Sequence, residues 1–265
     1  MATVATVGTT HPLAIAGLGL TIQALTAGGD RPVFVVAGVT AQDGRRVLAR
    51  HAIAGATIVA QFAALAEADV RAVHVGALLS ADAVAAVARG LELLPGVPVI
   101  VDPVLAATGG DALGGAAVAG ALREQLLPGA ALVTPNLDEA GMLLGTVVAD
   151  VPGMTAAARA LLDCGAGAVL VKGGHLAGET IDVFADAAGV REFAAPRIAG
   201  DLRGTGDLLA VTIAAGLANG RTMHDAITHA RMRVRDAIAH GTLFAGTRVA
   251  AWRTQARDHD ADDFR

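Results

Sequence analysis

The sequence predicts an α/β protein with a mostly parallel central sheet covered by helices on both faces, in three α/β/α layers. Three observations predict it. Short runs rich in Val, Ala and Leu recur between Gly, Pro or Asp. Longer Ala/Leu segments with helical spacing lie between them. The short runs are apolar at successive positions rather than alternate ones. Strands that alternate with helices make βαβ units, and a strand apolar on both sides has both faces covered.

In chain order the strand-like runs cover residues 2–7, 33–36, 72–75, 97–101, 131–133 and 168–171. Helical spacing falls over 81–94, 115–127, 137–144 and 155–162, and two closing helices over 205–219 and 223–240. Asn219-Gly220 stops the first of these two. Only one pair reads as antiparallel, 181–184 with 190–193, joined across 185–189. No linker, charge block or fixed-period repeat interrupts the chain before its end. Residues 1–252 therefore read as one domain and 253–265 as a charged tail expected to fray.

Composition removes several function classes. With 54% hydrophobic residues and 17% charged, a chain of 265 residues has the apolar mass for a large core, which excludes disorder. The net charge of −5, the lack of basic clusters and the 3% aromatic content argue against nucleic acid. Mean hydropathy is +0.55, yet the longest uncharged stretch, 12–29, is rich in Gly and Thr and makes a poor membrane span. No Lys or Arg precedes Arg31, so no signal peptide is expected, and a lone cysteine, Cys164, suggests neither a disulfide nor a zinc cluster. A cytoplasmic protein is the expectation. Cys164, Met142 and Met154 read as core, and Trp252 as an anchor for the tail. His11, His51 and His74 lack metal-ligand spacing. Of the 20 basic residues nineteen are Arg, and the single lysine is Lys172.

Ligands of open α/β sheets sit at the carboxyl ends of the strands, so the polar residues there carry the functional reading. The 97–101 run enters Asp102-Pro103, where the carboxylate serves either a turn or a ligand. The 131–133 run enters Thr134-Pro135-Asn136-Leu137-Asp138-Glu139. Asn136 and Glu139 there make a capping box or, equally, offer oxygen atoms to hydrated Mg²⁺. The 168–171 run enters Lys172-Gly173-Gly174-His175, an ammonium and two glycines suited to phosphate, with His175 read as a turn residue. Finally, Gly204-Thr205-Gly206-Asp207 opens a helix. Its free amides and dipole make an anion site, and Asp207 stands in the first turn, where it can take a proton from an attacking alcohol. Together these strand ends point to phosphoryl transfer without a Walker-type loop.

At these motifs the chain resembles the ribokinase-like superfamily, and within it the hydroxymethylpyrimidine/phosphomethylpyrimidine kinases of thiamine biosynthesis. Val101-Asp102-Pro103-Val104 with Thr108-Gly109-Gly110-Asp111, Thr134-Pro135-Asn136-Leu137-Asp138-Glu139-Ala140 and Val171-Lys172-Gly173-Gly174-His175-Leu176 carry the resemblance. Ile22-Gln23-Ala24 and Val39-Thr40-Ala41-Gln42 match more loosely, and the likeness spans about residues 22–238. It implies the ribokinase-like fold, ATP with Mg²⁺ as cofactors, and a small-molecule alcohol or its phosphate as acceptor. Relatives of this kind are often dimers, and the small-residue helix faces are compatible with a homodimer. Carried over by position, Asp207 and Lys172 are the catalytic pair and Gly204, Thr205 and Gly206 the anion hole. Asp102, Asn136, Lys172 and Gly174 would face ATP, Asp102 and Glu139 the metal, and Gln42, Gly76 and Ala77 the acceptor.

Three departures bear on the acceptor. Asp207 replaces the cysteine usual in this branch and is the form seen in pyridoxal kinases. The amino-terminal signature is altered over 17–25, and Val75-Gly76-Ala77-Leu78 lacks the family's methionine. A pyridoxal-type vitamin kinase is therefore the first alternative. A weakly active nucleotide- or pyrimidine-binding paralogue is the second.

Overall fold

The computed structural model describes residues 1–252 apart from 45, 108, 109, 175 and 177. The tail over 253–265, Thr108, Gly109 and His175 lie outside the described residues.

Nine strands form one sheet: β1 (Thr3–Thr10), β2 (Arg31–Gln42), β3 (Val47–Ala52), β4 (Val70–Val75), β5 (Val99–Val101), β6 (Leu132–Val133), β7 (Ala168–Val171), β8 (Thr180–Asp186) and β9 (Gly189–Ala195). Their order is β3-β2-β1-β4-β5-β6-β7-β8-β9, and the central six, β2 to β7, are parallel. Because side chains alternate across a strand, each strand feeds two cores. Val7, Val73, Val75, Val101, Val133, Val169 and Val171 enter one of them. That core is closed by α2 (Gly55–Ala64), α3 (Ala81–Leu91), α4 (Gly115–Gln125), α5 (Leu137–Leu144) and α6 (Val151–Asp163). Val4, Ala72, Ile100, Leu132, Ala168 and Leu170 enter the other, closed by α1 (Gly17–Ala27), α7 (Thr205–Ala218) and α8 (Met223–His240). The expected three layers are thus present.

Helix starts follow local chemistry. Ser80 Oγ accepts from Ala83 N at 3.1 Å, and Asp150 Oδ1 from Gly153 N at 2.8 Å, each satisfying an amide that its helix cannot. Among the described residues no helix is long and apolar enough to cross a membrane.

Four expectations need correction. The antiparallel pairing is not confined to one hairpin. β8 also runs antiparallel to β7, and β3 folds back along a β2 that extends to Gln42. Pattern reading misses β3 because four of its six residues are exposed, so no apolar period marks it. It also misses helices α1 and α2. α1 is Gly-rich and has no capping side chain of its own, and it is held by burying Leu18, Leu20, Thr21, Ala24 and Leu25. Met142 is 44% exposed, on the same outward turn of α5 as Asp138, whereas Met154 is core as expected. Cys164 does end α6 but is only half-buried. Trp252 packs against the core beneath α8.

Candidate active site

Strand alternation builds the site. Thr6 on β1 and His74 on β4 share the face of Val4 and Ala72, and Asp102, Thr134 and Lys172 follow Ile100, Leu132 and Leu170 two residues on. All five therefore turn toward the layer that holds α7, which packs on β1, β4 and β5 with its first turn at the strand ends.

At the centre is a buried ion pair. Lys172 Nζ donates to Asp102 Oδ1 at 2.7 Å and lies 3.8 Å from Glu139 Oε2. Thr134 Oγ1 also donates to Asp102 Oδ1, at 2.9 Å, while Asp102 Oδ2 is buried without a partner. Burial disfavours the charge on Lys172, but Asp102 and Glu139 more than offset it and hold the ammonium above the ordinary lysine value. For Glu139 burial dominates and pushes the carboxyl up to about 7, against the opposing pull of Lys172. Glu139 and Asn136 also form the capping box of α5. Asn136 N donates to Glu139 Oε2 at 2.7 Å, and Glu139 N to Asn136 Oδ1 at 2.8 Å. The two sequence readings of this pair are compatible, because the cap engages Oε2, the oxygen that also faces Lys172, and makes no use of Oε1.

Helix α7 brings the second half. Leu208 N is the first amide to bond back, to Gly204 O at 2.9 Å, so the Thr205 and Gly206 amides precede the helical ladder. Glycine at 206 keeps this approach open, since a Cβ there would stand 3.2 Å from Lys172 Nζ and 3.4 Å from Asp102 Oδ2 and would crowd the pair. Asp207 Oδ2 accepts the Gly17 amide at 3.0 Å, so this carboxylate also ties down the first turn of α1. Burial and the neighbouring Asp102 charge push Asp207 up to about 6, although the Gly17 hydrogen bond and Lys172 oppose the shift.

Gly204 is fixed in the left-handed region at φ 77°, and a Cβ there would meet Leu20 Cδ1 at 2.3 Å and Ile15 O at 2.6 Å. Gly204→Ala is therefore expected to cost about 2–5 kcal/mol, strain and overpacking together. Urea denaturation checks this, and a midpoint matching that of the parent chain would refute it.

Of the acceptor-side expectations, Gly76 is closest to Asp207. A Cβ on it would lie 3.6 Å from Asp207 Oδ1 and 3.3 Å from His74 Cε1. Ala77 follows, buried. Gln42 ends β2 and donates to Thr40 Oγ1 at 2.8 Å; among the described residues no hydrogen bond joins it to the Asp207 cluster. Gly174 is exposed in the turn after β7, where its carbonyl accepts from Arg197 Nη1 at 2.8 Å. In the sequence His74 has no metal-ligand spacing, and the family resemblance gives it only the position of a polar residue beside the pocket; the structure places it in this cluster. The available signal is its place on the Ala72 face of β4, in register with Ile100, two residues short of Asp102.

A family model described as phosphomethylpyrimidine kinase matches residues 13–250. The chain belongs to the phosphomethylpyrimidine kinase family. It is a phosphotransferase, as the motifs at its strand ends implied. It is 39% identical over 228 residues to a hydroxymethylpyrimidine/phosphomethylpyrimidine kinase of Rhizobium meliloti, covering 84% of this chain and 85% of that one. Among solved structures it is similar to the phosphomethylpyrimidine kinase of Clostridium difficile 630, at TM-score 0.80 and 25% identity, covering 90% of this chain and all of that one. It is also similar to an ADP complex of Bacillus subtilis pyridoxal kinase, at TM-score 0.86 and 25% identity, covering 96% of this chain and 98% of that one. These kinases share the fold.

Proposed function

We propose that this phosphomethylpyrimidine kinase family member transfers the γ-phosphoryl group of ATP to a hydroxymethylpyrimidine or its monophosphate, with Asp207 as the base. The observation that carries this reading is the position of Asp207. Its carboxyl group opens α7 beside the Thr205 and Gly206 amides that precede the helical ladder, and across Gly206 lies the Lys172–Asp102 pair. Asp207 Oδ1 is the oxygen left uncommitted, so it takes the acceptor hydroxyl proton as the oxygen attacks phosphorus. The Thr205 and Gly206 amides and the Lys172 ammonium face the charge that builds on the transferring group, and they stand in place before reaction. Gly174 and Asn136 line the nucleotide side, and Gly76, Ala77 and Gln42 the acceptor side.

The residues present also fit Mg²⁺. Asp102 Oδ2 is buried with no hydrogen-bond partner, and Asp102 and Glu139 both offer the oxygen donors this ion requires. They would hold it beside Lys172, where its charge would neutralise the nucleotide phosphates.

A pyridoxal-type acceptor is the second reading, favoured by the Gly204-Thr205-Gly206-Asp207 motif and the likeness to pyridoxal kinase. Assays with ATP and Mg²⁺ on hydroxymethylpyrimidine, its monophosphate and pyridoxal decide between them. Turnover of pyridoxal alone would overturn the first reading, and turnover of none would leave a binding protein. The base assignment also fixes a pH dependence. Asp207 must be ionised to accept a proton, so kcat/KM is expected to rise tenfold per pH unit below about 6 and level off above it. A profile flat from about pH 5 to 8 would exclude a base with that pKa.

A further inference from the structure

The phosphoryl-transfer reading leaves His74 unused, although it is 1% exposed and its Nε2 is buried with no partner. Its protonation pattern can be worked out. Thr21 Oγ1 donates to the Leu18 carbonyl at 3.1 Å, an acceptor only, which commits the Thr21 proton. Thr6 Oγ1, 3.0 Å from Thr21 Oγ1, must then donate to it, and so accepts at 3.0 Å from His74 Nδ1–H. Nε2 is left as a bare lone pair, and burial keeps the ring neutral by lowering its pKa to about 4.

That lone pair does not stand alone. His74, one oxygen of Asp102 and one of Asp207 lie within 4.8 Å of one another. An atom seated among them is therefore within about 2.8 Å of all three, the radius of the widest triangle that 4.8 Å sides allow. Each residue has its other polar atom pinned from behind: His74 Nδ1 by Thr6, Asp102 Oδ1 by Thr134 and Lys172, and Asp207 Oδ2 by Gly17 N. Three acceptors, two of them acidic, converge, and among the described residues no donor bonds to His74 Nε2 or Asp102 Oδ2. A water has two protons for three acceptors, whereas one cation satisfies all of them. Asp102 and Asp207 set two carboxylates against the single Lys172 ammonium, so the field favours a cation.

We infer that His74 Nε2, Asp102 Oδ2 and Asp207 Oδ1 form a binding site for a divalent first-row transition ion, which shares Asp102 with the magnesium reading but is closed by His74 and Asp207 in place of Glu139. The imidazole decides the class of ion. Mg²⁺ prefers an all-oxygen shell, whereas mixed imidazole and carboxylate donors suit Zn²⁺, Co²⁺ or Cu²⁺. The Nδ1–H held by Thr6 is the kind of outer hydrogen bond by which proteins orient a ligating histidine. Metal–ligand distances of about 2.0–2.2 Å need at most about 0.6–0.8 Å of inward movement by each side chain. Occupancy engages Asp207 and so inhibits turnover. That consequence rests on Asp207 as the base, whereas the binding itself does not.

The test is direct titration of the nucleotide-free protein with Co²⁺ in excess Mg²⁺, together with electron paramagnetic resonance of the Cu²⁺ complex. Expected are one Co²⁺ per chain that Mg²⁺ does not displace, and coupling of Cu²⁺ to a single imidazole nitrogen. His74→Leu should weaken Co²⁺ binding at least about tenfold and abolish that coupling. Asp207→Asn should also weaken binding, a second check should the leucine variant fail to fold. An all-oxygen Cu²⁺ spectrum, Co²⁺ displaced by Mg²⁺, or affinity unchanged in a folded His74→Leu chain would each overturn the inference. If binding is found but kinase turnover is untouched by the ion, the site stands and the role of Asp207 as base falls.

Discussion

Asp207→Asn is expected to lower kcat about 10²–10⁴-fold while leaving nucleotide affinity within a few-fold of the parent. The amide keeps the shape of the carboxylate, and its carbonyl can still accept the Gly17 amide now held by Oδ2 at 3.0 Å. What it cannot do is take a proton. Single-turnover kinetics alongside ADP binding measure the two effects separately, and a kcat within about threefold of the parent would remove Asp207 from the chemistry.

The same substitution is expected to raise stability. The pKa of Asp207 rises from 3.8 to about 6 on folding, chiefly through burial, so the folded chain binds the proton more tightly than the unfolded one. Its contribution is most favourable below pH 3.8 and is lost as pH climbs through about 6. At neutral pH the parent therefore carries a buried charge that the amide variant does not, and the variant should gain on the order of 1–2 kcal/mol there. The gain should shrink toward zero in acid. Thermal melts at acid and neutral pH check it, and a variant destabilised at both would contradict it.

Lys172→Met carries the largest combined effect. The ammonium is the counter-charge for Asp102 at 2.7 Å and Glu139 at 3.8 Å, all three largely buried. Removing one partner of such a group leaves charge uncompensated and is expected to cost about 3–5 kcal/mol. Turnover should fall at least about 10²-fold, since the charge facing the transferring group is lost as well. The stability deficit should narrow as pH falls. Glu139, already pushed up to about 7, would titrate higher still without Lys172 and take up a proton. Lys172→Arg should not rescue turnover. Gly206 approaches so closely that even a Cβ on it would stand 3.2 Å from Nζ, and a planar guanidinium is wider than an ammonium. Denaturant melts across pH with matched kinetics test both variants, and full activity in either would show that Lys172 does not face the phosphate.

This behaviour gives the lone lysine a physical reason. A chain with nineteen arginines places its one ammonium where a compact point charge must fit between two carboxylates and a helix start.

Much of the architecture is legible without coordinates, because parallel strands covered on both faces are apolar throughout and end abruptly in polar residues. The Asp102, Glu139, Lys172 and Asp207 positions can be read from those abrupt ends. β3 cannot, since an exposed edge strand such as Val47–Ala52 has no apolar period to detect. Nor can α1, whose glycines argue against a helix and whose first amide is satisfied by Asp207, 190 residues away. The pairing of His74 with Thr6 spans 68 residues, and Lys172 reaches Asp102 across 70.

By itself the sequence determined the layered α/β class and the polar residues that gather at the strand ends, because periodicity and turn chemistry are local. Only the tertiary structure decided how those residues meet: Lys172 between two carboxylates, Asp207 lifted toward neutrality by burial, and the bare nitrogen of His74 aimed at both aspartates. Charge, burial and proton placement depend on what lies across the sheet, and no local pattern encodes that.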